Sequence, residues 1–487
     1  MRLLRWMLKV LPSSSRGQAI FTLTSGTLLA QSVAFLARPV LTRLYTPEAF
    51  GILGFIFALV SVLSVASSGR YEDAIMLPSR TSRSLQVLFL SMGLSLLVAL
   101  MLLCLLPIRG WLAHLLHKPA LATHMLWFPP ALLFISWNRQ LETWLTRQRL
   151  YPRVAIGQIT RQSITVPAQV ATGLYGGEAS ALIGSAVAGY MAQCAVLIRH
   201  LLRTPFLRTL RHTPWRMYLR IAYRYRDFPR FTLWANLLNT LSGQLPLFAL
   251  MYFFTSATVG HYALAYSTLT LPITLLGTAI ARVFFVDIAE ARRRGQTATL
   301  TYVTYQNLLL IGGFPILSLT VVAPALFRLV FGNAWALSGA FAAWMAPWIL
   351  VLFITSPLTF LIDVLEKQKI AFYMTSSLLV ARAVVLVIGG IFGSALETIA
   401  LYSLTSFTFL SVYLVILTGL GGVSSRQRIQ GLRTSLRYFL LPGCLLLPVY
   451  LLPSLLWQVG SWLLALGVYG LLVYRKVQWQ LPTGRTT

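Results

Sequence analysis

Apolar runs long enough to cross a bilayer recur along the whole chain, and this recurrence leaves little room for anything except a bundle of membrane helices. A hydrocarbon core about 30 Å thick takes roughly 20 residues of helix at about 1.5 Å per residue. Runs of that kind, bounded by charge and by Pro or Gly, fall at 17–38, 49–68, 84–106, 125–146, 154–174, 179–198 and 231–254. They continue at 261–286, 302–326, 339–362, 370–392, 396–419, 438–455 and 457–474. The expected fold is an all-α polytopic membrane protein with about 14 transmembrane helices. Only 10% of the 487 residues are charged, against about 25% in a soluble protein, so lipid is the main solvent.

The basic residues orient the bundle, because Lys and Arg in short loops are retained on the cytoplasmic side. With the N-terminus inside, the cytoplasmic segments hold thirty-one of the forty Lys and Arg, five lie within spans, and only Arg43, Arg109, Lys118 and Arg328 face the other way. One missed or invented span would reverse every later loop and erase that asymmetry. Both termini are expected in the cytoplasm of a bacterial inner membrane. The basic opening MRLLRWMLKVLPSSSR leads into an apolar run without a small-x-small cleavage site, which reads as an uncleaved first span.

A formal charge of +29 would suit nucleic acid, but the arginines sit in short clusters at helix ends and no nucleic-acid partner is expected. Cys104, Cys194 and Cys444 each stand alone in apolar stretches, so neither a metal site nor a cofactor is expected. The longest polar stretch carries nine arginines from Arg199 to Arg230, at a spacing that suits a segment lying on anionic headgroups. It divides the chain into residues 1–198 (six spans), the basic linker 199–230, residues 231–419 (six spans) and a final helix pair with its tail in 420–487. A faint repeat supports the division. The second span opens on Phe50-Gly51 and ends at Gly69-Arg70-Tyr71, while the eighth opens on Val259-Gly260-His261-Tyr262 and ends at Arg282-Val283-Phe284-Phe285.

Six stretches carry a family resemblance: ARPVLTRLYTPEAFG (37–51), GRYEDAIMLP (69–78), YRDFPRF (225–231), GQLPLFAL (243–250), VGHYALAYSTLTLPITLLGTAIARVFF (259–285) and FGNAW (331–335). In order and spacing they resemble the polysaccharide-exporter branch of the multidrug/oligosaccharidyl-lipid/polysaccharide exporter superfamily, the Wzx-like O-antigen flippases. The resemblance implies two six-helix lobes around a central cavity. It also implies translocation of an undecaprenyl-pyrophosphate-linked oligosaccharide by alternating access, in contact with membrane lipids and with a polysaccharide polymerase and other assembly proteins. The C-terminal pair lies beyond that twelve-helix core.

A pyrophosphate and glycan cannot cross hydrocarbon unaided, so intramembrane arginine is the residue to seek. Arg382 lies near the middle of the eleventh span, and Arg161 sits in a polar patch with Gln158, Thr160, Gln162, Ser163 and Thr165. Arg282 and Arg38 complete the substrate-binding candidates, although a place near a span end lets either snorkel. Arg139 is expected to pair with Glu142 three residues on. Arg43, Arg70, Glu72, Asp73, Asp287 and Asp363 are candidates for gate-bracing ion pairs; the plain alternative for Thr46-Pro47-Glu48 is a capped helix start.

Three rival functions are weighed against this reading. A drug exporter of the superfamily would repel cationic substrates from a cavity holding arginines and no central carboxylate. A polymerase or ligase would need a larger extracytoplasmic loop than 107–124 and a catalytic constellation that the chain lacks, so an enzyme is not expected. A peptidoglycan-precursor exporter would share the fold, since cavity shape sets the substrate.

Overall fold

The computed structural model describes residues 15–111, 121–202, 213–271, 273–447, 449 and 454–474. Among the described residues the chain is helical, with no strand. It forms two compact units, Met1–Gly260 and His261–Thr487.

In the first unit, α1 (Ser15–Leu44), α2 (Pro47–Ser67), α3 (Thr81–Leu105), α4 (Phe128–Arg147), α5 (Tyr151–Leu174) and α6 (Ala179–Leu202) occupy the first six expected spans in order. A short helix, α7 (Trp215–Arg224), then precedes α8 (Leu233–Phe253), which packs along α2 with Phe248 edge-on to Phe55 at 5.9 Å. The start of α2 is set locally. The Thr46 hydroxyl accepts from the Ala49 amide, Pro47 opens the first turn without an N–H to satisfy, and Glu48 faces the positive end of the helix dipole. Where α2, α3 and α4 meet, the seam is polar: Ser67 Oγ lies 3.3 Å from Ser95 Oγ and 3.0 Å from Ser136 Oγ. Gln140 Nε2 donates to Ser95 Oγ at 2.7 Å and to the Ser91 carbonyl at 3.2 Å. Small hydroxyls let the helices approach closely and hydrogen-bond across the contact. Ile56, Val60, Leu132, Ile183 and Val187 form the adjoining apolar core.

From α9 (Ser256–Leu269) a π-helical turn at Ile273–Gly277 leads to α10 (Thr278–Arg293), α11 (Thr297–Leu317), α12 (Leu319–Phe331) and α13 (Ala336–Leu358). The second unit ends with α14 (Gln368–Phe392), α15 (Ala395–Leu420), α16 (Ser425–Cys444) and α17 (Leu455–Tyr474). Its centre is α13, whose Phe341, Met345, Ile349 and Phe353 are buried. The last two helices are fastened to α11 and α12 through Leu310, Phe314, Val322, Leu446 and Tyr469.

Several expected boundaries shift: the first helix runs on to Leu44, the run at 261–286 is divided between α9 and α10, and two further shifts have a clear local cause. The run at 302–326 is broken: α11 ends at Leu317, and the Ser318 hydroxyl donates to the Pro315 carbonyl at 3.0 Å while the Trp462 indole donates to it at 2.8 Å. Pro315 supplies no amide to the helical ladder, and such a residue is where a bend costs least. The thirteenth helix begins at Ser425 instead of 438, because Ser424 and Gln427 close a capping box. Arg426, Arg428, Arg433 and Arg437 therefore ride on the first turns of α16, and Arg428 Nη1 donates to the Val415 carbonyl near the negative end of α15 at 2.7 Å.

Among the described residues, eight helices are long and apolar enough to cross a membrane. Helices α4 and α5 are not among them, because they carry Asn138, Arg139, Gln140 and Glu142, and Gln158, Arg161 and Gln162. Those side chains cost too much to face lipid, so where they point locates the polar interior of the bundle.

Candidate functional site

Arg382 is the charged side chain most deeply placed in an apolar helix. It is 9% exposed on α14, a helix on which only Leu386 and Gly389 are otherwise buried. Its guanidinium lies over two rings, 5.4 Å from the Trp348 centroid on α13 and 5.0 Å from that of Tyr402 on α15. Arg382 Nε donates to Ser406 Oγ at 3.0 Å, one turn beyond Tyr402. The cage continues onto α9: Tyr262 stacks on Tyr266 at 5.8 Å, Tyr266 on Trp348 at 6.2 Å, and Tyr402 meets Trp348 edge-on at 6.0 Å. Ring faces attract a guanidinium without neutralising it. Among the described residues no carboxylate pairs with Arg382, and the Trp348 indole N–H, buried beside it, has no acceptor. The cage therefore holds a guanidinium without a carboxylate partner beside an indole N–H without an acceptor.

The second polar centre belongs to the first unit. Arg161 on α5 lies 4.9 Å from the Tyr190 ring centroid on α6. Glu142 on α4 accepts from Gln193 Nε2 at 2.7 Å and Gln158 Nε2 at 3.2 Å, and Asn138 Nδ2, one turn earlier, donates to the Tyr190 carbonyl at 2.8 Å. The expected Arg139–Glu142 ion pair is not formed. Two carboxamides from α5 and α6 draw the carboxylate into the helix interface, away from Arg139. Because Glu142 ties three helices, Glu142→Ala is expected to strand both glutamine amides and cost about 1–3 kcal/mol, whereas Glu142→Gln keeps the volume and most of the bonding. Thermal unfolding in detergent, compared between these two variants, checks the ranking.

The GRYED turn after α2 is a compact knot. Gly69 and Arg70 both adopt φ of 59°, a left-handed conformation that is uncommon for arginine. Arg70 is held there by Glu72 at 3.3 Å and by Asp73 at 2.9 Å, and Ser68 Oγ donates to the other Glu72 oxygen. Tyr71 Oη donates to the Ala222 carbonyl of α7 at 3.1 Å. Glu72 is only 2% exposed, and burial pushes its carboxyl above the ordinary range against the opposing pull of Ser68 and Arg70. A folded-state pKa raised in this way stabilises the fold at low pH, and the contribution is lost as pH rises through the raised value. Thermal unfolding followed from about pH 5 to about pH 8 should fall less steeply for Glu72→Gln than for the natural chain.

The other candidates are more dispersed. Arg38 on α1 lies 5.4 Å from the Phe35 ring centroid and buries one terminal nitrogen without an acceptor. Arg43 and Glu48 are exposed and unpaired among the described residues. Asp363 is exposed; nearby, Arg292 instead pairs with Glu366 at 3.7 Å and donates to the Val364 carbonyl. Asp287 on α10 buries one carboxylate oxygen without a partner. The backbone of Arg282 is helical in α10, but its side chain lies outside the described residues. Sequence reasoning missed Tyr262, Tyr266, Trp348 and Tyr402; the signal was available only as tyrosines four apart inside the VGHYALAYS stretch. That stretch also meets FGNAW directly, with His261 Nδ1 2.9 Å from Ser338 Oγ and its ring 5.6 Å from that of Trp335.

Helical spans, a buried arginine within one of them and polar inter-helix seams define a multi-pass membrane protein of transporter architecture. The chain belongs to the polysaccharide biosynthesis protein family, whose model matches residues 40–339. No curated protein matches it by sequence. Among solved structures it is similar to the lipid II flippase MurJ in an inward closed conformation, with a TM-score of 0.69 and 12% identity over 92% of this chain and 100% of that one. It is also similar to an inward-facing multidrug resistance MATE family transporter of the MOP superfamily, with a TM-score of 0.58 and 12% identity over 80% and 95% of the two chains. A MOP superfamily transporter from Pyrococcus furiosus, described as having a binding pocket of reverse polarity, gives a TM-score of 0.52 and 14% identity over 84% and 98%. At these identities the likeness establishes the fold, and it agrees with the superfamily that the sequence motifs pointed to.

Proposed function

We propose that the chain is a flippase. It carries an undecaprenyl-pyrophosphate-linked oligosaccharide, an O-antigen or similar surface-polysaccharide repeat unit, across the bacterial inner membrane by alternating access, with both termini in the cytoplasm. The lobes of this reading are residues 1–198 and 231–419, joined by the basic linker. The observation that carries it is the unneutralised Arg382 in its aromatic cage. A cation within the bilayer is costly to hold, and a pyrophosphate offers acceptor oxygens to the Arg382 guanidinium and the Trp348 indole N–H. Arg161 and Arg38, on the first unit, are the further candidate substrate contacts of this reading. A cationic drug would meet repulsion at each of these points.

The decisive experiment reconstitutes the full chain in vesicles that carry a pyrophosphate-linked oligosaccharide in the inner leaflet. Glycan appearing on the outside is read with a membrane-impermeant glycosidase. Appearance at several times the rate of protein-free vesicles is expected, and a rate equal to theirs overturns the proposal. A peptide-bearing precursor assayed alongside distinguishes a peptidoglycan-precursor exporter.

A further inference from the structure

Helix α7, in the basic segment between the sixth and seventh spans, is strongly two-sided. At about 100° per residue its ten residues sort into four rows, of which Tyr218 and Ala222 make a half-buried one. Met217 and Ile221 pack inward on the first unit's core, beside Tyr71, Leu85 and Leu201. Trp215, Leu219 and Tyr223 form a second row and are exposed, Trp215 by 72%. Arg216, Arg220 and Arg224 form a third row, also exposed, next to the aromatic one. Tyr71 pins the helix at Ala222, and Gln86 Nε2 donates to Thr213 Oγ1 at 3.1 Å just before its start. The helix is thus held rigidly while two unlike rows, one apolar and one cationic, are left facing outward.

A soluble protein partner would be a poor match for these rows. Three arginines at one-turn intervals with no acidic partner among them need a sheet of anions, and an adjacent Trp-Leu-Tyr row needs a shallow apolar layer. An anionic leaflet supplies both at the right relative depth, acyl boundary beside phosphate. We infer that α7 is an anionic-phospholipid binding helix, with Arg216, Arg220 and Arg224 on headgroup phosphates and Trp215, Leu219 and Tyr223 in the interfacial layer. Through Tyr71 the bound leaflet is then mechanically connected to the GRYED turn at the end of α2. This inference stands on α7 alone and does not depend on the transported substrate.

The test uses the detergent-purified full chain titrated with phosphatidylglycerol or with phosphatidylcholine, bound lipid being counted by native mass spectrometry. The natural chain is expected to prefer phosphatidylglycerol, and the preference should weaken as salt rises. Removing charge by R216Q, R220Q and R224Q together should lower phosphatidylglycerol affinity by about fivefold per arginine at most and leave phosphatidylcholine unaffected. R216K/R220K/R224K should retain most of the affinity, and R426Q/R433Q/R437Q, the same charge loss on α16, should retain it as well. An unchanged preference in the α7 glutamine variant overturns the inference, as does an equal loss in the α16 variant, which would mean attraction to net charge alone. If the glutamine variant is poorly folded, the lysine variant decides: loss of preference in that well-charged chain overturns the inference too. Preference for a soluble pyrophosphate over phosphatidylglycerol, or loss of a dimer in the glutamine variant, would assign the rows to a substrate headgroup or to a second copy and would likewise overturn it.

Discussion

On the proposed function, Arg382→Ala will abolish or reduce by at least about tenfold the surface glycan of a cell whose only copy of this protein carries it, with protein level unchanged. The expectation follows from what the side chain does and does not do. Its guanidinium packs on Trp348 and Tyr402 and makes one neutral hydrogen bond, to Ser406. It closes no ion pair, so its loss strands no buried carboxylate and the fold is not penalised on that account. Removal even relieves the cost of holding a cation in the membrane. On the proposed function, that cost is offset when the substrate headgroup reaches the guanidinium. Arg382→Lys sharpens the test. Lysine preserves the charge but cannot lie flat between two rings or present a planar fork to a pyrophosphate, so glycan export between that of alanine and arginine is expected. Full export by the alanine variant would remove Arg382 from the substrate path, and poor accumulation of the lysine variant would instead show that the cage needs arginine in order to fold.

What the chain disclosed before its structure was known follows from the range of the forces involved. The spans were legible because burial in hydrocarbon is a one-dimensional property of a run of residues, and the Thr46-Pro47 start because capping is settled within one turn. Arg382 and Arg161 stood out because a charge inside an apolar run is conspicuous without knowing its neighbours. Their surroundings were not legible. The four rings of the Arg382 cage come from α9, α13 and α15, and no local pattern says that they converge. Glu142 illustrates the same limit in reverse: on a lone helix Arg139 is its nearest cation, but Gln158 and Gln193 arrive from two other helices and take the carboxylate. The early start of α16 was obscured because arginines at 426, 428, 433 and 437 look like a loop to a hydropathy window, while the Ser424–Gln427 box carries the helix outward through them.

The repeat between the second and eighth spans acquires a physical meaning in the crossing of α2 and α9. A Cβ on Gly51 would stand 1.7 Å from the Ser256 carbonyl oxygen, and a Cβ on Gly260 would stand 2.0 Å from that of Pro47. Each glycine thus lies against the residue four positions before the other, a reciprocal contact of backbone on backbone. On the orientation proposed from the loop arginines, both helix starts would lie on the extracytoplasmic side, where the contact would hold them together.

Gly51→Val and Gly260→Val are therefore expected to prise the two helix starts apart, since the obstructing atoms are carbonyl groups that cannot rotate away. A packed interior resists such overfilling by about 1–3 kcal/mol, which is comparable with the free energy separating the conformations of many transporters. The expected result is therefore a chain that folds but spends more time with its extracytoplasmic end open. Thr258, buried one turn into α9 with its hydroxyl 3.1 Å from Thr255 Oγ1, reports on this directly. In a background with Cys104, Cys194 and Cys444 replaced, Thr258→Cys should react slowly with a membrane-impermeant maleimide applied from outside. Adding Gly51→Val should accelerate labelling about tenfold or more, equivalent to about 1.4 kcal/mol of population shift, and should lower glycan export, because a path that cannot close on one side cannot alternate. Gly51→Ala should fall between, its single methyl forcing a smaller separation. Labelling that is equally slow in all three chains would mean that the helices absorb the added carbon by sliding along each other, and that this crossing does not gate the outer end.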